Sequence, residues 1–189
     1  MKGNNGTGNI IERDDWQTPN WLFDLLHKQY SFDFDCCATT INSKCSERSL
    51  NFLYEQPIEK VSWMNPPFSK PREMFEKFFK VVKKGVAIYR CDNMETKIWQ
   101  DIILKKADWI FIPNKRWAYE GKAGKGSRFP SALIGIGVEP PTGLDGHTLS
   151  NTIKNNSPST SEEGDSSVLS PEDSGNGMPS SGDAKEKQE

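Results

Sequence analysis

The order of its apolar segments constrains this chain most. FDFDC, VSWM, VAIY, DWIFI and SALIGIGV are short runs of four to eight residues, bounded by polar or turn-forming positions. Between several of them lie longer stretches with apolar residues every three to four positions, the helical period. TPNWLFDLLHKQY sets Trp21, Leu22, Leu25 and Leu26 along one face, with Thr18 expected as the N-cap and Pro19 in the first turn. PREMFEKFFKVVKK carries Met74, Phe75, Phe78, Phe79 and Val82 at the same spacing and is expected to stop at Gly85. TKIWQDIILKKA predicts a further helix. The near-continuous run VSWM fits a strand buried on both faces, as in parallel sheets. Strands alternating with amphipathic helices predict an α/β fold, an open sheet with helices on both faces. Ahead of Val61 the pattern is irregular, so the sheet is expected to be small there.

The flanks differ in composition. Residues 1–13 are rich in Gly and Asn and are expected to be a flexible N-terminus. Residues 141–189 are rich in Ser, Gly, Pro, Asp and Glu, which predicts a disordered acidic tail after a folded domain at 14–140. That tail holds three Lys against nine Asp or Glu, whereas Lys70–Arg128 holds 15 basic residues against seven acidic ones. The second half of the expected domain is therefore basic, as a polyanion-binding surface would be. Solvated helix faces account for Lys77, Lys80, Lys83 and Lys84 equally well. No apolar run approaches 18 residues and the N-terminus lacks an apolar signal core, so a cytoplasmic protein without a membrane span is expected. The four cysteines and two histidines do not show zinc-site spacing; reduced thiols and no metal are expected.

One strand ends unusually. VSWM runs directly into Asn65-Pro66-Pro67-Phe68, and ligands of open α/β sheets bind beyond the carboxyl ends of strands. An amino group conjugated with an aromatic ring is a poor nucleophile because its lone pair is delocalised. Two acceptors that bind its two N–H protons localise that pair and aim it at a methyl donor. The Asn65 side-chain oxygen and the Pro66 carbonyl suit this task, and the prolines hold the carbonyl direction without reorganisation. Phe68 would offer a face on which a flipped base stacks. The competing reading is a rigid strand-to-helix turn with Phe68 in the core.

Several blocks in one order then resemble the phage-type DNA N6-adenine methyltransferases. DDWQTP is similar to that family's opening D-x-W-x-T-P, and DFDCCATTINSKC to its D-x-C-A…N-x-K-C segment. WMNPPFSK resembles its catalytic turn, and RWAYEGKAGKGSRFPSALIGIG its closing block. The resemblance spans about residues 14–138. It implies a small Rossmann-like sheet, S-adenosylmethionine as methyl donor, a flipped adenine in DNA as acceptor, and a phage or prophage setting, in restriction-modification or viral self-protection. It also implies that Asp35, Cys37 and Ala38 border the methionine end of the cofactor, with Asp35 near its ammonium, and that Thr18 and Pro19 contribute to the same pocket. Asn42 is expected to turn a loop. A Gly-rich F-x-G-x-G loop is absent, and ERSLNFLYEQP replaces the family's acidic D-G-L segment, leaving Glu47 and Glu55 as candidates for the ribose.

Asn114–Arg128 combines five basic residues, two aromatics and three glycines between two strands. It is expected to hold DNA: Lys115, Arg116, Lys122, Lys125 and Arg128 at phosphates, with Trp117 or Tyr119 wedged into the gap left by the flipped base. The alternative places Trp117 back on the core. At the level of function, the alternatives are an amino-methyltransferase acting on cytosine N4 and a nucleic-acid-binding protein of this fold with little turnover.

Overall fold

The computed structural model describes residues 14, 16–39, 42–55, 59–120 and 129–151, all within one compact unit. Helix α1 (Asn20–Tyr30) precedes β1 (Phe34–Asp35) and β2 (Glu47–Arg48). Then come β3 (Val61–Met64), α2 (Pro71–Val81) and β4 (Lys84–Arg90). A π-helical turn (Trp99–Ile103) runs into α3 (Leu104–Lys106), followed by β5 (Trp109–Pro113), β6 (Ser131–Ile136) and β7 (Gly146–Ser150). The strands form one seven-stranded sheet in the order β2-β1-β3-β4-β6-β5-β7. Pairing is parallel from β2 through β4; β6 is antiparallel to both β4 and β5, and β7 is antiparallel to β5. Strands β1, β3, β4 and β5 thus share one direction, and their carboxyl ends lie along one rim.

Alternation along each strand builds two cores. Met64, Ala87, Tyr89, Ile110, Ala132 and Ile134 face Phe75 and Phe78 of α2 and Trp99, Ile102 and Ile103 of the π turn. Trp63, Val86, Ile88, Trp109, Phe111 and Leu133 face Leu22, Phe23 and Leu26 of α1. Helices therefore cover both faces, giving a Rossmann-like α/β fold with an antiparallel strand set into a parallel sheet. Each fully buried ring of the Phe75 or Phe78 kind contributes about 1.5–3 kcal/mol. The buried indoles keep polar partners: Trp99 Nε1 donates to the Arg90 carbonyl at 3.0 Å and Trp109 Nε1 to the Val138 carbonyl at 2.6 Å.

Three expectations need correction. Pro19, not Thr18, is the cap residue of α1, and its carbonyl accepts the N–H of Leu22 and Phe23 at 3.1 Å. Helix α2 ends at Val81, and Gly85 lies inside β4; a Cβ there would stand 2.6 Å from the Ser62 carbonyl oxygen, so close strand approach explains the glycine. The third helix forms where expected, winding as a π turn over Trp99–Ile103. The fold also continues past residue 140: Pro141 is buried and Gly146–Ser150 pairs with β5. Backbone pairing, which needs no apolar side chains, carries this edge strand. Residues 1–13 and 152–189 lie outside the described residues.

Candidate active site at the carboxyl rim

Strand β3 delivers Asn65 to the rim, next to the ends of β1 and β4. The Asn65 Nδ2 donates to the Trp16 carbonyl at 2.9 Å. That bond fixes the amide plane and turns Oδ1 away from Trp16, free to accept. Among the described residues neither Asn65 Oδ1 nor the Pro66 carbonyl has a hydrogen-bond partner. Pro66 is buried, Pro67 and Phe68 are half-buried, and the Lys70 N–H closes the turn on the Pro67 carbonyl at 3.3 Å. Asp14 reaches the end of the turn, accepting from the Ser69 N–H at 2.9 Å and the Ser69 hydroxyl at 2.6 Å.

A narrow cleft beside Asn65 is lined by Thr18, Asp35, Cys37 and Trp63 together with Asp14, Trp16, Gln17, Asn42 and Lys44. Its free space is about 30 Å³, far below the several hundred Å³ of an ordinary ligand pocket, so a nucleoside-sized ligand must displace its walls. Asp35 ends β1 and is buried; its Oδ1 accepts the Cys37 N–H at 3.2 Å and its Oδ2 the Lys44 N–H at 3.0 Å. Burial raises its carboxyl above the ordinary value, against the pull of those two donors and of the Lys44 ammonium. Thr18 is 1% exposed and its hydroxyl oxygen has no partner. Buried hydroxyls are rarely left so, and this one borders the cleft. Cys37 rests its sulfur 3.9 Å from that of Met74, and burial raises its thiol pKa. Asn42 accepts the Thr39 N–H at 2.6 Å, the turn role expected of it.

Of the five residues expected at the cofactor, Thr18, Asp35 and Cys37 line the cleft; Pro19 and Ala38 are buried beside it without lining it. Glu47 pairs with Lys60 instead of facing the cleft. Asp14, Trp16 and Lys44 were not singled out, although all three stand in the quoted blocks; their roles arise from contacts across long sequence separations.

On the other side of Asn65 the rim is aromatic. Phe68 meets Phe129 edge-on at 5.3 Å, and Phe129 stacks on Tyr119 at 4.6 Å. The Arg90 guanidinium lies 5.8 Å from the Phe129 ring centre and is held by Asp92 through two bonds of 2.7 and 2.5 Å. Phe129 escaped notice in the sequence because it reads as the foot of a strand. Trp117 and Tyr119 are 5% and 2% exposed. This corrects the expectation that either ring wedges into DNA: both pack in the α1 core, and the Tyr119 hydroxyl is spent on Ser131 at 3.0 Å. Lys115 and Arg116 are exposed; Lys122, Lys125 and Arg128 lie outside the described residues.

A Rossmann-like sheet with an acceptor-bearing turn on its carboxyl rim places the chain in the methyltransferase fold class. More narrowly, the chain belongs to the DNA N-6-adenine-methyltransferase (Dam) family, whose profile matches residues 7–129. It is similar to the DNA N-6-adenine-methyltransferase of Haemophilus phage HP1, with 28% identity over 114 residues, covering 56% of this chain and 65% of that relative. The chain thus spans just under two thirds of the relative's length. Among the described residues no helix is long and apolar enough to cross a membrane.

Proposed function

We propose that the protein methylates the N6 amino group of adenine in DNA, using S-adenosylmethionine, in the cytoplasm of a phage-bearing host. The observation that carries this reading is the Asn65 amide, oriented by the Trp16 carbonyl at 2.9 Å so that its oxygen and the Pro66 carbonyl are both left to accept. The two acceptors take the two N–H protons of the target amine and turn its lone pair away from the ring. No base is needed to start the reaction, because the proton leaves only after the nitrogen has become cationic. Positioning of this kind supplies about 7–11 kcal/mol of a barrier. Phe68, backed by Phe129, supplies the stacking face for an extruded base.

The residues of the cleft fit the methyl donor. Thr18 offers an unpaired buried hydroxyl, and Asp35 a buried carboxylate for a cationic group. S-adenosylmethionine, when bound, supplies an electrophilic methyl group on a sulfonium. Lys115 and Arg116, exposed after β5, would meet phosphates, and Lys122, Lys125 and Arg128 would extend that contact.

The decisive experiment incubates the protein with labelled S-adenosylmethionine and unmethylated DNA, then identifies the methylated nucleoside. N6-methyladenine is expected, with kcat reduced about a hundredfold or more in Asn65→Ala, the scale of losing one preorganised polar contact, while cofactor binding persists. Label on cytosine N4 would reassign the base, and wild-type turnover in Asn65→Ala would refute the site.

A further inference from the structure

Asp14 and Trp16 between them touch both ends of the catalytic turn. Trp16 holds Asn65 at its start through the amide bond of 2.9 Å, and Asp14 holds Ser69 just past its end through bonds of 2.9 and 2.6 Å. We propose that Asp14 is a positioning residue for methyl transfer: its carboxylate clamps Ser69 and thereby fixes the directions of the Pro66 carbonyl and the Phe68 ring. This rests on the methyltransferase reading above.

The two prolines fix their own φ angles but leave ψ of Pro67 and both angles of Phe68 unconstrained. Something has to hold the far end of the turn if the acceptors at its near end are to keep their aim. Helix α2 does not do so by itself, for Lys70 caps it without a side-chain hydrogen bond. The Asp14 carboxylate fills that role, accepting two donors of one residue, and the anion lies two residues before the first turn of α2, the end that favours negative charge. Asp14 also lines the cleft that contains Asn65, so it acts beside the reacting groups without being required to touch them.

The strap has a second anchor. Gln17 and Glu120 exchange backbone bonds of 2.8 and 2.9 Å, and the Asn20 N–H donates to the Glu120 carboxylate at 3.3 Å. Glu120 lies within the basic segment proposed to meet DNA, between Arg116 and Lys122. The clamp on Ser69 is therefore braced against the chain on the DNA side of the site.

The test compares wild type, Asp14→Ala, Asp14→Asn, Ser69→Ala and Asp14→Ala/Ser69→Ala. Hydrogen exchange first reads the Ser69 amide without any turnover: in Asp14→Ala it is expected to exchange at least about tenfold faster, with the peptide covering β3 unchanged. Steady-state methylation is then expected to show kcat down about ten- to a hundredfold, as for a misplacement near 1 Å, with KM for cofactor and DNA within about threefold. Asp14→Asn keeps one acceptor oxygen and should fall between, and Ser69→Ala should lose about threefold to tenfold. Because both act through one contact, the double variant should match Asp14→Ala alone. Wild-type kcat in Asp14→Ala, losses that multiply in the double variant, or a KM effect without a kcat effect would each overturn the proposal. Should Asp14→Ala fail to fold, an unchanged kcat in Ser69→Ala is sufficient to overturn it. If wild type methylates no DNA, the proposed function fails, whereas the exchange of the Ser69 amide still reports on the clamp.

Discussion

Thr18→Val separates what the cleft needs when empty from what it needs when filled. Valine replaces the hydroxyl by a methyl of similar size, and both residues are β-branched and suit the extended conformation required before Pro19. Thr18 is 1% exposed and its hydroxyl is unpaired, which costs about 1–2 kcal/mol in the free protein. Removing it should raise Tm by about 2–8 °C, given about 2–4 °C per kcal/mol for a domain of this size. Filling the cleft reverses the balance. A hydrogen bond from this hydroxyl to a charged group of the ligand is worth about 1.5–3 kcal/mol, so Kd should rise roughly tenfold to a hundredfold. Thermal melts of the free protein and calorimetric titration with S-adenosylhomocysteine, which binds without turnover, read the two effects separately. A lower Tm together with an unchanged Kd would show that the hydroxyl is satisfied in the free protein and that the cofactor lies elsewhere.

Two further outcomes follow from the fold. Gly135 faces Trp109 across β5 and β6, and an added Cβ would stand 2.0 Å from the indole; Gly135→Ala should cost about 3 kcal/mol through overpacking and loss of the Trp109–Val138 bond, read as a loss of roughly 6–12 °C in Tm. Arg90 holds the Asp92 carboxyl below its ordinary value of 3.8, so the stability from this pair is full above that value and is lost as pH falls through the lower folded value. Urea melts of wild type and Asp92→Asn should differ by a constant amount from pH 7 to 5 and converge below about pH 4; a difference independent of pH would refute the pairing as its source.

What could be read from the sequence follows the kind of force involved. VSWM emerged as β3 without error because an apolar run bounded by polar residues needs no tertiary information. The helix period of α2 was equally plain, but its end was not: a glycine after a helix suggests a C-terminal stop, whereas Gly85 answers to the Ser62 carbonyl in the neighbouring strand. Strand β7 escaped because GHTLS pairs through its backbone and exposes nearly every side chain. Trp117 and Tyr119 sit among glycines and cations that suggest a surface loop, yet burial of two large rings outweighs that local signal. The turn at Asn65 was legible from its own residues. The bonds that aim it were not, since Trp16 and Asp14 lie 49 and 55 positions away from their partners.

Strand β6 runs against its neighbours, so the chain leaving β5 must re-enter the sheet from the same rim that bears Asn65. The feet of that excursion are stapled independently, by the Gln17–Glu120 bridge on one side and the Tyr119–Phe129 stack on the other. In evolutionary terms the two feet are a fixed doorframe, held by strap and stacked rings at the rim that bears Asn65.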